Sequence, residues 1–202
     1  IEMLEAVALF SAVAIENARI MIRLNELNRT ISGEKEQVEK AALASSWLAE
    51  HDSLTGLSNR RFLERVLDEN IRLAPMQDHT IAVFFVDIDD FKRVNDTYGH
   101  DAGDRALIAV GERLLAVFRE GDYVARVGGD EFVVVAPGTK KSGSVASIAD
   151  KVIASFAEPL VTEEGPISVT ISVGIALFPT DGRTSQELIR RADEAMYNVK
   201  KN

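Results

Sequence analysis

Apolar positions recur alternately every three and four residues from Met3 to Leu48, which sets the first fifty residues apart from the rest of the chain. The series is Met3, Ala6, Phe10, Val13, Asn17, Ile20, Leu24, Leu27, Ile31, Glu34, Val38, Ala41, Ser45 and Leu48, and eleven of these fourteen are apolar. A 3.5-residue repeat sustained this long is a coiled-coil seam, whose polar members fix register at some cost in stability. No proline and a single glycine, Gly33, fall within it. The pattern predicts one helix over 1–50, about 75 Å long at 1.5 Å per residue, and a parallel homodimer formed through it. Two shorter helices broken near Ser32-Gly33 are the alternative. Trp47 is expected to pack in this stalk near its hinge.

Beyond His51 the pattern changes to short elements. Asn59 to Ala74 has helical spacing (Phe62, Val66, Leu67, Ile71) and is expected to stop before Pro75. Ile81 to Val86 is an unbroken apolar run, β-branched and aromatic, which suits a strand buried on both faces. Asp101 to Phe118 is helical in spacing. Tyr123–Val127 and Phe132–Ala136 predict two strands joined by the turn Gly128-Gly129-Asp130-Glu131. A helix over Ser142–Phe156, an alternating strand over Ser168–Leu177 and a helix from Ser185 onward complete the order. The expectation is an α+β fold over 51–202: one mostly antiparallel sheet with helices on its outer side, preceded by the coiled coil of 1–50.

Composition narrows the chemistry. The 202 residues are 46% apolar and 27% charged, ordinary for a globular protein. With no cysteine there is no disulfide framework, thiolate metal site or cysteine nucleophile. The longest uncharged apolar run, Ala6–Ile15, is too short to cross a bilayer, and Glu2 and Glu5 stand where a signal peptide carries basic residues. A cytoplasmic location is expected, and the start at Ile1 suggests a piece of a longer protein. A net charge of −9 argues against nucleic acid or an anionic membrane as partner. A phosphate-bearing substrate then needs a metal ion, backbone N–H groups or a few placed lysines. His51, His79 and His100 make no metal-binding set.

The acids supply the candidate site. The run 81–86 leads into Asp87-Ile88-Asp89-Asp90, and the predicted turn carries Asp130 and Glu131 directly after two glycines. If the hairpin pairs beside that strand, Asp87 and Asp130 converge at one sheet edge, where like charges repel unless a cation lies between them. Magnesium is commonly held by one or two carboxylates plus substrate phosphates, so the pair suits a metal-nucleotide site. Lys92 adds positive charge beside the acids. Asn95 and Asp104 form a donor-and-acceptor pair able to read a base edge, the carboxylate favouring the N–H face of guanine. Gly128 and Gly129, lacking side chains, leave room for a phosphate or ribose.

At these residues the sequence resembles the GGDEF family, the diguanylate cyclases. Gly128-Gly129-Asp130-Glu131-Phe132 is its signature. Asp52-Ser-Leu-Thr-Gly-Leu-Ser-Asn-Arg-Arg61 resembles its opening motif. Asp87-Ile-Asp-Asp-Phe-Lys92, with Asn95-Asp96 and Gly99-His-Asp-Ala-Gly-Asp104, resembles its central block, and Ala192-Asp-Glu-Ala-Met-Tyr197 with Lys200 its last helix. The resemblance implies a palm-like fold, similar to polymerases and nucleotide cyclases. It implies synthesis of cyclic di-GMP from two GTP, one per subunit of a dimer, by attack of each ribose 3′-hydroxyl on the other's α-phosphorus. Asp87, Asp130 and the Ile88 carbonyl would hold Mg²⁺ (or Mn²⁺), and Asp130 or Glu131 would take the hydroxyl proton. Asn95 and Asp104 would bind guanine. Lys92, Lys200 and backbone N–H groups around Asp90 and Phe91 would meet the phosphates. The family often adds an arginine four residues past that lysine, and the chain ends at Asn202, short of that position.

Arg119-Glu120-Gly121-Asp122 matches the spacing of the family's inhibitory product site, which implies feedback inhibition by cyclic di-GMP through Arg119 and Asp122. Leu4–Arg19 resembles the closing helix of a GAF sensory domain, so the coiled coil would pass a sensory signal to the dimer. Three other readings stand beside this one: a catalytically silent receptor for GTP or cyclic di-GMP, a dimerisation module that only transmits signal, and a cyclase of relaxed base choice making GMP-AMP hybrids. The presence of Asp87, Asp130, Asn95 and Asp104 together weighs against the first two, and Asp104 opposes adenine.

Overall fold

The computed structural model describes residues 2–77, 80–138, 142–162 and 165–201. His79 lies outside the described residues, as do the side chains of Met3, Ala6, Phe10, Val13 and Ala41 of the predicted seam. The chain divides into two compact units, 1–47 and 48–202. Helix α1 (Glu2–Glu50) is continuous for 49 residues and passes Ser32-Gly33 without a break. Ile20, Leu24, Leu27, Ile31 and Val38 along it are 49–68% exposed, and Ile15, Met21 and Ile22 widen that apolar surface beyond a strict seam.

The second unit is built on a five-stranded sheet in the order β1-β3-β4-β2-β7. The strands are β1 (Ser58–Asn59), β2 (Ile81–Ile88), β3 (Tyr123–Gly128), β4 (Glu131–Pro137) and β7 (Ile171–Phe178), and β5 (Leu160–Thr162) pairs with β6 (Gly165–Ile167) in a separate hairpin. Among the described strands only β1 and β3 pair in parallel. The apolar run of 81–86 becomes the central strand, buried along its whole length. Alternate residues serve two cores. Ala82, Phe84, Val86 and Ile88 face α3 (Phe91–Tyr98), α4 (His100–Val117) and α5 (Ser142–Ser155), while Ile81, Val83 and Phe85 face α2 (Arg60–Gln77) and α6 (Ser185–Lys200).

The helices thus cover both faces of the sheet rather than one outer side, as a strand apolar at every position requires. Three smaller expectations are also corrected. Helix α2 runs through Pro75 to Gln77, because a proline in a last turn forfeits only one i→i−4 bond. Residues 91–98, over which the sequence pattern predicts no element, form α3; Val94 is its one fully buried residue, with Phe91 half-buried beside the core, and the preceding Asp90 is left-handed (φ 51) and makes no side-chain cap. Strands β1, β5 and β6 have two or three residues each, too few to show an alternation.

Helix α6 starts on a capping box in which the Thr184 Oγ1 accepts from the Glu187 N–H and the Glu187 carboxylate accepts from the Thr184 N–H. It then lies directly on β7. A Cβ built on Gly174 would overlap the Ala192 carbonyl and the Met196 backbone nitrogen and stand 2.8 Å from the Met196 Cβ. This close seat carries the C-terminal end of α6, and Lys200 with it, to the end of β2.

Candidate functional site

The site forms where β2 leaves the sheet. In the antiparallel registers Asp87 stands opposite Glu131 on one side and Ser172 on the other, and by alternation all three share the face covered by α6. Asp87 is 7% exposed, and the Lys200 Nζ donates to its Oδ1. The strand end is clamped from both sides: the Ile88 N–H donates to the Asp130 carbonyl at 3.4 Å and the Asp89 N–H to the Thr170 carbonyl at 2.9 Å. The Ser172 hydroxyl donates to the Asp89 Oδ1 at 2.7 Å.

Electrostatics reflects this crowding. Burial lifts the Asp87 carboxyl above its ordinary value; Asp130 and Asp89 add to the lift, and Lys200 opposes it. Burial likewise lifts Glu131, aided by Asp87, Asp193 and Asp130 and opposed by Arg60. For Lys200 burial pulls downward, but the hydrogen bond and charge of Asp87, with Asp89 and Asp130, leave its ammonium raised. Asp87 thus feels the charges of Asp130, Asp89 and Lys200, and Glu131 stands opposite it in the ladder.

Helices α3 and α4 hold the second group. Asn95 lies on α3, and the Gly99 N–H donates to its backbone carbonyl at 2.9 Å. Its amide sits against Gly103 on α4: a Cβ there would overlap the Asn95 Oδ1 and stand 3.0 Å from its Cγ. Asp104, the next residue, is exposed, as are Lys92 and Asp90; Phe91 is half-buried. In the signature turn a Cβ on Gly129 would meet open space, whereas one on Gly128 would stand 3.0 Å from the Glu131 Oε2. Both glycines border a cavity of about 310 Å³ that Arg60, Arg61 and Arg126 also line.

The donor set suits a hard cation. Among the described residues no three acidic or histidine side chains gather in metal-ligating geometry. What the strand end offers is two like-charged carboxylates, Asp87 and Asp130, whose repulsion a cation relieves, next to the Ile88 backbone carbonyl. This is the sparse oxygen set that Mg²⁺ completes with water and phosphate.

Arg119 and Asp122 stand apart, beyond the far end of β3 from Gly128, roughly 20 Å of extended strand away. The Arg119 Nη2 donates to the Pro137 carbonyl at 2.7 Å and its Nε to the Asp122 Oδ1 at 3.4 Å, while its backbone N–H donates to Oδ2 at 3.1 Å. The Asp122 side chain is 4% exposed and that of Arg119 66%, so the arginine faces solvent and the aspartate holds it.

Three features were not assigned from sequence: Gly103 as the seat of Asn95, Gly174 as the seat of α6, and Arg126, which bonds both Asp52 and the signature turn. A glycine inside a helical or strand pattern is a signal of close approach and marks the first two. An isolated arginine on a strand carries no such signal.

A family model described as "Diguanylate cyclase, GGDEF domain" matches residues 49–202. Residues 4–19, which carry the GAF resemblance, lie outside that match. Diguanylate cyclase TpbB of Pseudomonas aeruginosa is 42% identical over 166 residues, 82% of this chain and 38% of its own length. The bifunctional diguanylate cyclase/cyclic di-GMP phosphodiesterase MucR of the same species is 36% identical over 197 residues, 98% of this chain and 28% of its own. The chain thus spans well under half the length of these relatives. Among solved structures, the GGDEF domain of TpbB is 41% identical with a TM-score of 0.72, covering 75% of this chain and 88% of that one. The coiled coil and GGDEF domain of DgcB from Caulobacter crescentus, in complex with c-di-GMP, is 26% identical with a TM-score of 0.76, covering 88% and 94%. No helix among the described residues is long and apolar enough to cross a membrane.

Proposed function

The chain belongs to the GGDEF family, and on that premise we propose that it is a diguanylate cyclase, joining two GTP into cyclic di-GMP with release of two pyrophosphates. The observation that carries this reading is the electrostatic cluster of Asp87 with Asp130, Glu131 and Lys200 at the end of β2, with Asn95 and Asp104 on the two helices that follow that strand. Asn95 and Asp104 read guanine by amide and carboxylate. Lys200, Lys92 and the backbone N–H groups at the start of α3 face the triphosphate. Each ribose 3′-hydroxyl attacks the α-phosphorus of the GTP on the other subunit, displacing pyrophosphate, and its proton passes to Asp130 or Glu131. Asp87, Asp130 and the Ile88 carbonyl would hold Mg²⁺, which supplies charge neutralisation at the phosphates and lowers the pKa of the attacking hydroxyl.

A site that holds one GTP needs a second copy opposite it. The exposed apolar stripe of α1, Ile20 through Val38, supports a homodimer through a coiled coil, and a rotation or register shift in it would bring the two halves together or part them. Product feeding back at Arg119 would hold them apart. Arg119→Ala is expected to raise the inhibition constant of cyclic di-GMP roughly tenfold or more, the worth of a lost charge-assisted pair; an unchanged constant in initial-rate assays would remove the site.

Gly103→Ala tests the guanine reader without touching a ligand group. The added methyl displaces the Asn95 amide, so GTP affinity by calorimetry should fall roughly tenfold, about one charged-group hydrogen bond, with the fold intact by circular dichroism. The function itself is tested with equimolar GTP and ATP plus Mg²⁺, products being identified by mass spectrometry. Cyclic di-GMP and pyrophosphate alone are expected. A GMP-AMP hybrid contradicts guanine selection, and GTP bound but unconverted identifies a receptor.

A further inference from the structure

The signature turn is weakly determined by its own hairpin. Two consecutive glycines have the most backbone freedom to lose, and the β3–β4 ladder breaks register between Arg126 and Gly128, directly before the turn. One side chain supplies the missing constraint. The Arg126 Nε and Nη2 donate to the Gly129 carbonyl at 3.0 and 2.8 Å, and its Nη1 donates to both Asp52 oxygens at 3.0 and 3.2 Å. The side chains of Arg126 and Asp52 are only 15% and 22% exposed, so solvent competes little for the bonds between them, while the bonds to the Gly129 carbonyl lie at the surface.

Asp52 is itself anchored. Its Oδ1 accepts from the Thr55 N–H at 2.9 Å and from the Thr55 hydroxyl at 2.7 Å, and its backbone carbonyl accepts from the Gly56 N–H at 2.9 Å. Burial alone would lift its carboxyl, but Thr55 and Arg126 hold it below its ordinary value. The Gly129 carbonyl belongs to the same planar peptide as the Asp130 N–H, so fixing that oxygen fixes the plane from which Asp130 departs. The Asp130 carbonyl at the next peptide accepts from the Ile88 N–H, which pins the turn from its other side.

We propose that Arg126 is a positioning residue: it locks the Gly129–Asp130 peptide to Asp52 and thereby holds the Asp130 carboxylate toward Asp87. The proposal deepens the cyclase reading and rests on it for its kinetic consequence. All three guanidinium nitrogens of Arg126 are engaged by the two anchors, the Gly129 carbonyl and the Asp52 carboxylate. Lysine could meet one anchor but not both, because only the planar fork presents donors along two edges.

The test uses the full chain with Arg126→Met, Arg126→Lys, Asp52→Asn and the Asp52→Asn/Arg126→Met pair. For Arg126→Met, kcat should fall roughly tenfold or more while KM for GTP moves by less than about threefold, the signature of a group felt mainly in the transition state. Amide hydrogen exchange at Gly128–Glu131 should accelerate while the β2 amides stay protected. Arg126→Lys should lie between wild type and Arg126→Met in both readouts. The double variant should be no worse than Arg126→Met, because both substitutions open the same latch. Unchanged exchange at the turn, or effects of the two substitutions that multiply, would overturn the proposal. Faster exchange throughout the domain would also overturn it, as the mark of a general structural role. If wild type makes no cyclic di-GMP the cyclase reading fails, and the exchange measurement still decides whether the latch exists.

Discussion

Asp87→Asn is expected to reduce cyclic di-GMP formation by roughly a thousandfold, the rate equivalent of about 4 kcal/mol of lost electrostatic stabilisation in the transition state. The substitution keeps the volume of a side chain that is 7% exposed and at the centre of the acidic cluster. It removes a charged oxygen from the proposed metal donors and the anionic partner of Lys200. Thermal stability should not fall with activity. Burial, together with Asp130 and Asp89, raises the Asp87 carboxyl despite Lys200, so the folded state binds its proton more tightly than the unfolded chain does. A group of this sign contributes most to stability when protonated, and its contribution diminishes as pH rises past its unfolded value; at neutral pH the ionised form is a net cost to the fold. A melting temperature at or above wild type, with product formation lost, is the expected pair of results. A large drop in melting temperature would show instead that the Asp87–Lys200 pair holds the fold together.

The second large effect is structural. In Gly174→Ala the new methyl meets the α6 backbone at Ala192 and Met196, which cannot rotate away as a side chain would. Relief requires moving the helix off β7. The cost should reach roughly 3 kcal/mol or more, the upper range for overpacking, and a domain of this size then melts roughly 6–12 °C lower. Lys200 rides on the same helix, so activity well below the melting temperature should fall as well. An alanine variant with unaltered melting would contradict the close seat of α6.

The difference between what was legible in the sequence and what was not follows from side-chain periodicity. Helix α1 and strand β2 announce themselves, one by a long 3.5-residue repeat and the other by six apolar residues in a row that only a sheet covered on both faces can bury. The hairpin of β3 and β4 is signalled by Gly128-Gly129, and with β2 as neighbour it sets Asp87 opposite Glu131, the residue after Asp130. Helix α3 was not legible, because in its eight residues only Val94 is fully buried and Phe91 half-buried against the core, too short a pattern to show a helical repeat. Its presence places Asn95 on a rigid element packed on α4 rather than in a loop. The close approaches at Gly103 and Gly174, and the two anchors of Arg126, depend on which elements become neighbours in space, and no local pattern records that. Asp122 shows the same limit: its spacing from Arg119 is visible in sequence, its burial beneath that arginine is not.

The measurement that tests the central claim most directly is product formation from GTP and Mg²⁺ by the chain and by its Asp130→Ala variant, followed by chromatography with mass detection. Cyclic di-GMP from the first, with two pyrophosphates per product, and none from the second is the predicted result. No product from either while GTP remains bound, or equal product from both, would contradict the assignment of Asp87 and Asp130 as the centre of a diguanylate cyclase.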